Sequence, residues 1–196
     1  MKFNLEEVNQ LMQRRRSIFP ADYTGEEVPD QAIKKMIENA TYAPTHKLTE
    51  PWRFVVFKNK GLAKLAAFQS ECYRQVTTQD GSFREERYKG LQTKPMQSGC
   101  IIAIGMKRDE REGVPEVEEI GAVFCAVENM YLTAAAYGLG CYFSTGGVTY
   151  FDEAKAFFGL GPTDRLLGFL HIGIPKSWPP QKARRPIEKV SLWVTE

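Results

Sequence analysis

Arg15-Arg16-Ser17, a loop histidine at position 46 and a late Lys182-Ala-Arg184-Arg185 run are the residues whose types could grip a charged small molecule. Guanidinium forks match phosphate oxygens, and a serine hydroxyl adds a neutral donor. Residues 15–17 follow a helical pattern, so they sit at a helix C-terminus; the dipole does not favour an anion there and the arginine charges must bind it. His46 lies in Ala43-Pro-Thr-His-Lys-Leu-Thr-Glu-Pro-Trp-Arg-Phe54, a polar loop between a proline stop and a buried strand. Taken singly, each group has a plain alternative: a basic patch capping a helix, a connector with Trp52 in the core, and a solvated charge run. Taken together, they suit a phosphorylated, planar molecule.

Signatures of protein-supplied chemistry are missing from the sequence. There is no Gly-x-Ser-x-Gly elbow and no Walker loop, and Gly138-Leu139-Gly140 lacks the third glycine of a dinucleotide fingerprint. With only His46 and His171, a hydrolytic triad or a structural zinc site has little to draw on.

The 196 residues are read as one domain, residues 1–196, with 43% hydrophobic and 26% charged residues, as in ordinary globular proteins. A net charge of +2 argues against a nucleic-acid protein held by bulk electrostatics. No N-terminal signal pattern and no membrane-spanning run is expected. Cys72, Cys100, Cys125 and Cys141 form no Cys-x-x-Cys pair and read as buried, reduced thiols of a cytoplasmic protein.

The elements that must position these residues are legible in outline. Leu5, Val8, Leu11 and Met12 predict an N-terminal amphipathic helix, and Ile33, Met36, Ile37 and Ala40 predict a second, with Asp30 as its cap. Residues 51–57, 99–106, 141–147 and 166–173 read as strands, and 190–194 as a last one. Residues 61–68 look helical, whereas 69–95 fit either a helical excursion or a mobile flap. Residues 119–138 form the organising element, a helix apolar on every face and ended by Gly138, suited to the middle of a fold or of a dimer. These elements predict an α/β or α+β fold with a mixed central sheet.

The order of motifs resembles the nitroreductase family of FMN-dependent oxidoreductases over nearly the whole chain. It runs Arg-Arg-Ser, then Ala-Pro-x-His-Lys before Pro-Trp-Arg-Phe, an alanine-rich helix ending Gly-Leu-Gly, and a late Lys-x-Arg-x-Pro. The resemblance implies an α+β fold, its central sheet flanked by helices around the buried central helix, in an intertwined homodimer. It implies FMN held by Arg15, Arg16 and Ser17, with Lys182 and Arg184 completing the phosphate site. Phe143, Ser144 and Thr145 match the segment along the flavin ring, and Tyr42 and His46 match positions reaching the flavin of the partner subunit. The implied activity is ping-pong: NAD(P)H gives hydride to flavin N5, then an electron-poor acceptor such as a nitroaromatic or quinone is reduced. No nucleic acid or membrane partner, no metal and no catalytic side chain is implied.

This sequence departs from the family pattern at three places. Phe19 stands where many members have Arg or Lys, Glu50 where Gln or Asn is common, and Phe143-Ser-Thr-Gly146 where larger members carry Pro-x-Glu-Gly. Two rivals remain. One is a flavin-binding relative that removes halogen, or consumes or stores flavin; the other is an interaction protein using its basic clusters, whose binding would fall steeply with salt.

Overall fold

A computed structural model describes residues 2–111 and 113–195. Helix α1 (Leu5–Arg14) is capped by Asn4, whose side chain accepts from the Glu6 and Glu7 amides. Helix α2 (Asp30–Ala40) follows, then strand β1 (Trp52–Phe57). Asp30 is the first residue of α2 and not its cap; its carboxylate takes the Lys58 ammonium at 2.5 Å.

Residues 69–95 are a helical excursion: α3 (Lys60–Gln79) continues well past residue 68, and α4 (Glu85–Thr93) returns. The periodicity is carried by Leu62, Leu65, Ala66, Gln69, Cys72 and Tyr73, which are buried at three- and four-residue spacing despite the polar composition. Gly81 turns the chain between the two helices with a φ of 74°.

Strand β2 (Cys100–Met106) leads into α5 (Glu116–Ala136), then β3 (Gly140–Ser144) and β4 (Arg165–Gly173). The sheet order is β1-β2-β4-β3. Every strand pair is antiparallel, which corrects the expected mixed sheet. The physical reason is an insertion. β2 and β3 run the same way, as a crossover through α5 demands, but β4 lies between them and opposes both. A parallel contact occurs as an isolated bridge between Ser17 and Cys141. Residues 190–194 form no strand; their apolar side chains are exposed, Leu192 at 88% and Trp193 at 77%.

Helix α5 covers one face of the sheet, burying Val123, Ala126, Val127, Met130 and Ala134 among Met36, Ile102, Ile104, Leu170 and Ile172. It is not enclosed on all sides: Phe124 and Cys125 are exposed, so Cys125 departs from the expected buried set while Cys72, Cys100 and Cys141 are buried. Burial pushes the Cys100 thiol up to about 12 and the Cys141 thiol higher still. Leu65, Cys72, Tyr73, Phe158 and Phe169 form the core on the other face. At the start of α5, buried Glu119 pairs with Arg108 and accepts the Asp109 amide, tying the end of β2 to the helix. Among the described residues, no helix is long and apolar enough to cross a membrane.

Tyr23 wedges the N-terminal segment onto the sheet. Its hydroxyl donates to Ile18 O at 2.8 Å, and a Cβ at Gly173 would lie 2.2 Å from its ring. Gly173→Ala is therefore expected to destabilise the fold by about 1–3 kcal/mol, an overpacking cost measurable by urea unfolding.

Candidate functional site

The chain leaves α1 at Arg15, whose amide still bonds to Leu11 O, and becomes extended. Ser17 bridges to Cys141 on β3, and the Ile18 amide bonds Cys141 O at 2.9 Å, so residues 15–18 are laid along the outer edge of the sheet. From there the two arginines diverge. Arg15 reaches α5: its Nε lies 3.3 Å from Glu128 Oε1, and its guanidinium carbon sits 5.1 Å from the centre of the Tyr131 ring. Its two Nη nitrogens make no hydrogen bond to the described residues. Arg16 is turned inward. Its Nη1 donates to Gln13 O and Arg15 O, both at 2.6 Å, and its Nε donates to Pro180 O at 3.4 Å. Its donors hold the backbone of the turn, where the sequence reading assigns them to a ligand.

Tyr131 joins the pieces. Its hydroxyl accepts the Phe143 amide at 2.7 Å, its ring supports Arg15, and the Ser17 hydroxyl lies beside it. Burial raises its pKa, so the hydroxyl stays protonated and available as a donor. Glu128 and Tyr131 are three residues apart and share a face of α5. Sequence reasoning missed both: Tyr131 counted as an apolar position and Glu128 as an interruption. A carboxylate and a phenol at i, i+3 within an apolar helix is the signal that could have found them.

At the end of β3, Phe143 meets Phe124 edge-on at 5.8 Å, and Ser144 Oγ accepts the Gly146 amide at 3.3 Å. Thr145 opens the Gly146-Gly147 turn. Gly147 has a φ of 69°, and a Cβ there would stand 3.1 Å from Leu91 of α4 and 3.5 Å from Gln69 of α3. The excursion therefore packs directly on the loop after Ser144. Phe19, the departure from a basic residue, has its ring 4.5 Å from that of Tyr142. Its contact is aromatic packing and adds no charge.

The C-terminal arm returns to the same region. Trp178 Nε1 donates to Arg14 O at 2.9 Å, and the Lys176 amide donates to Asp22 O at 2.9 Å. Between the arm, α1 and the end of α5 lies a groove of about 640 Å³ lined by Gln10, Leu11, Arg14, Trp178 and Gln181. Lys182 and Arg184 follow directly on this docked stretch and are exposed.

Tyr42 and His46 stand elsewhere. Tyr42 ends up 79% exposed just past α2. His46 Nδ1 lies 2.5 Å from Glu118 Oε2, while Arg15 pairs with Glu128. Ten residues of helix separate those carboxylates, about 15 Å along the axis. The His46 loop carries Lys47, Leu48 and Glu50 at φ of 51°, 54° and 45°, a conformation that costs non-glycine residues about 1–3 kcal/mol each. Within one chain Arg15, Ser17, Phe143 and the β3 end come together, and His46 is held at a separate point along α5.

Residues 12–174 match the sequence profile of the Nitroreductase family. The chain belongs to the nitroreductase family. It is 30% identical over 182 residues to Bacillus subtilis YfhC, assigned as an NAD(P)H nitroreductase, covering 90% of this chain and 89% of that one. A crystal structure of a nitroreductase-like protein from Bacillus cereus superposes with a TM-score of 0.83 at 26% identity, covering 100% of this chain and 99% of that one. A Desulfovibrio desulfuricans family member solved with FMN shares the fold at 24% identity with a TM-score of 0.70, covering 100% of this chain and 99% of that one.

His171 of this nitroreductase-family chain lies half-buried on β4 with its Nδ1 3.0 Å from Ser98 Oγ. Burial lowers its pKa from 6.5 to about 4, so the fold favours the neutral ring. Its contribution to stability is complete above pH 6.5 and is lost as pH falls toward 4, by up to roughly 3 kcal/mol. Urea midpoints taken between pH 7 and 4 should fall more steeply for the wild type than for His171→Gln.

Proposed function

We propose that this chain is an FMN-dependent NAD(P)H oxidoreductase that reduces nitroaromatic, quinone or similarly electron-poor acceptors. The observation that carries the reading is Arg15, whose two Nη donors stay free while Glu128 and Tyr131 hold the guanidinium beside Ser17 and β3. An exposed, oriented fork next to a serine hydroxyl fits the phosphate and ribityl oxygens of FMN. Lys182 and Arg184, on the arm that docks beside this turn, would add charge to it, and Arg16 would act by holding the turn's shape. Phe143, Ser144 and Thr145 would flank the isoalloxazine ring.

When bound, the flavin supplies the redox chemistry, accepting two electrons from the nicotinamide and passing them to the acceptor. The protein's part is to bind, orient and enclose. Accordingly no side chain at the site is arranged as a nucleophile or a paired acid and base. The α3–α4 excursion packs on Gly147, near Ser144, through Gln69 and Leu91, a position that suits a substrate-side wall.

The working unit is a homodimer with composite sites. His46 is held at Glu118, about 15 Å along α5 from the Arg15 partner Glu128, which favours a second copy supplying Tyr42 and His46 to the flavin. Exposed Phe124 on α5 and the exposed tail residues Ile187, Val190, Leu192, Trp193 and Val194 supply the apolar surface for an intertwined pair. Four free thiols support a reducing, cytoplasmic setting.

The visible spectrum of the purified protein tests the activity. A yellow protein that bleaches on anaerobic addition of NADH or NADPH is expected, and the faster donor identifies the preference. Yellow without bleaching would instead indicate a flavoprotein that is not a reductase, and a protein colourless even after FMN is added would overturn the cofactor. Deleting residues 187–196 should leave the circular dichroism spectrum unchanged while shifting sedimentation from dimer to monomer.

A further inference from the structure

Counting the cations that can reach an anion at the β3 edge gives a small number. Arg16 donates to the Gln13, Arg15 and Pro180 carbonyls. Phe19 presents a ring packed at a tilt against Tyr142. Arg15 keeps both Nη nitrogens open beside this edge, Arg16 keeps only Nη2, and a carboxylate already lies against Arg15. Glu128 Oε1 takes the Nε side of that guanidinium at 3.3 Å, leaving an incoming oxyanion only the opposite edge.

Glu128 has no role in the core. Its side chain is 52% exposed, and its only ion-pair partner among the described residues is Arg15. Arg15 does not need it for placement alone, since the Tyr131 ring supports the guanidinium and the backbone around Ser17 is pinned to Cys141. An anion fixed within one guanidinium's width of a phosphate repels it, and the exposed position tempers that repulsion without abolishing it.

The geometry points to Glu128 as an internal rival of the ligand phosphate. It neutralises Arg15 when the site is free and shares it when a phosphate arrives, so this chain holds FMN loosely and discriminates weakly between FMN and riboflavin. The inference rests on the flavin reading above. It makes FMN an exchangeable ligand of this chain, and it names a single carboxylate that sets the exchange.

Apoprotein titrated separately with FMN and riboflavin, followed by flavin fluorescence, tests it in the wild type, Glu128→Gln and Glu27→Gln. Glutamine keeps an oxygen to accept from Nε and removes only the charge. Glu128→Gln should tighten FMN by roughly three- to tenfold and leave riboflavin within about twofold. Its FMN affinity should also fall more steeply with added salt. Glu27 is likewise an exposed carboxylate paired with a cation, Lys58, and Glu27→Gln should change neither affinity. Weaker or unchanged FMN binding in Glu128→Gln, with flavin still bound, would overturn the rival role and leave the flavin reading standing. Failure of every protein to bind either flavin would overturn both.

Discussion

The Tyr131 hydroxyl, accepting the Phe143 amide at 2.7 Å, is the interaction on which the candidate site depends. It fixes the middle of α5 to the edge strand of the sheet, and its ring stands under Arg15. Three segments remote in sequence are registered by one side chain: the turn after α1, the central helix, and the strand leading to Ser144. A buried phenol must find hydrogen-bond partners or carry a desolvation cost, so the contact is also required by the core in which it sits.

The rigidity of α5 then sets the spacing of the two segments that pair with it. A helix cannot bring Glu118 and Glu128 closer than its rise allows, so the His46 loop and the Arg15 turn occupy separate stations along it. The loop is held at its own station by the His46–Glu118 pair and by Lys47 Nζ donating to Gly113 O at 2.9 Å. Its three left-handed residues are strained, and strain of this kind persists only where surrounding contacts over-determine the backbone.

Charge around Arg15 is arranged with economy. Arg16 stabilises the turn from inside, Phe19 packs at a tilt against Tyr142, and Glu128 faces Arg15, whose Nη nitrogens are open. The arm contributes through backbone docking, with Trp178 and Pro180 against the α1 terminus, and carries its cations just beyond. The site thus touches the C-terminal segment through Arg16 Nε and Pro180 O, while the Gln13 and Arg15 carbonyls hold Arg16 within the turn.

Much of this was legible from residue order alone. Helical periodicity gave α1, α2 and α5, Gly138 closed α5 with a φ of 72°, and runs of β-branched and aromatic residues gave the sheet strands. The motif order gave the family. Local patterns carry such information because propensity and amphipathic spacing act within a few residues. Tertiary structure decided the rest. That β4 inserts between β2 and β3 is a matter of long-range pairing, which strand composition does not encode. Arg15 and Arg16 are the same residue type, adjacent in the chain, and only packing against α5 and the arm sends one outward and the other into carbonyls. Tyr131 and Glu128 became functional candidates for the same reason: a side chain's neighbours across the fold, and not its neighbours along the chain, determine whether it fills space, anchors a cation or competes for one.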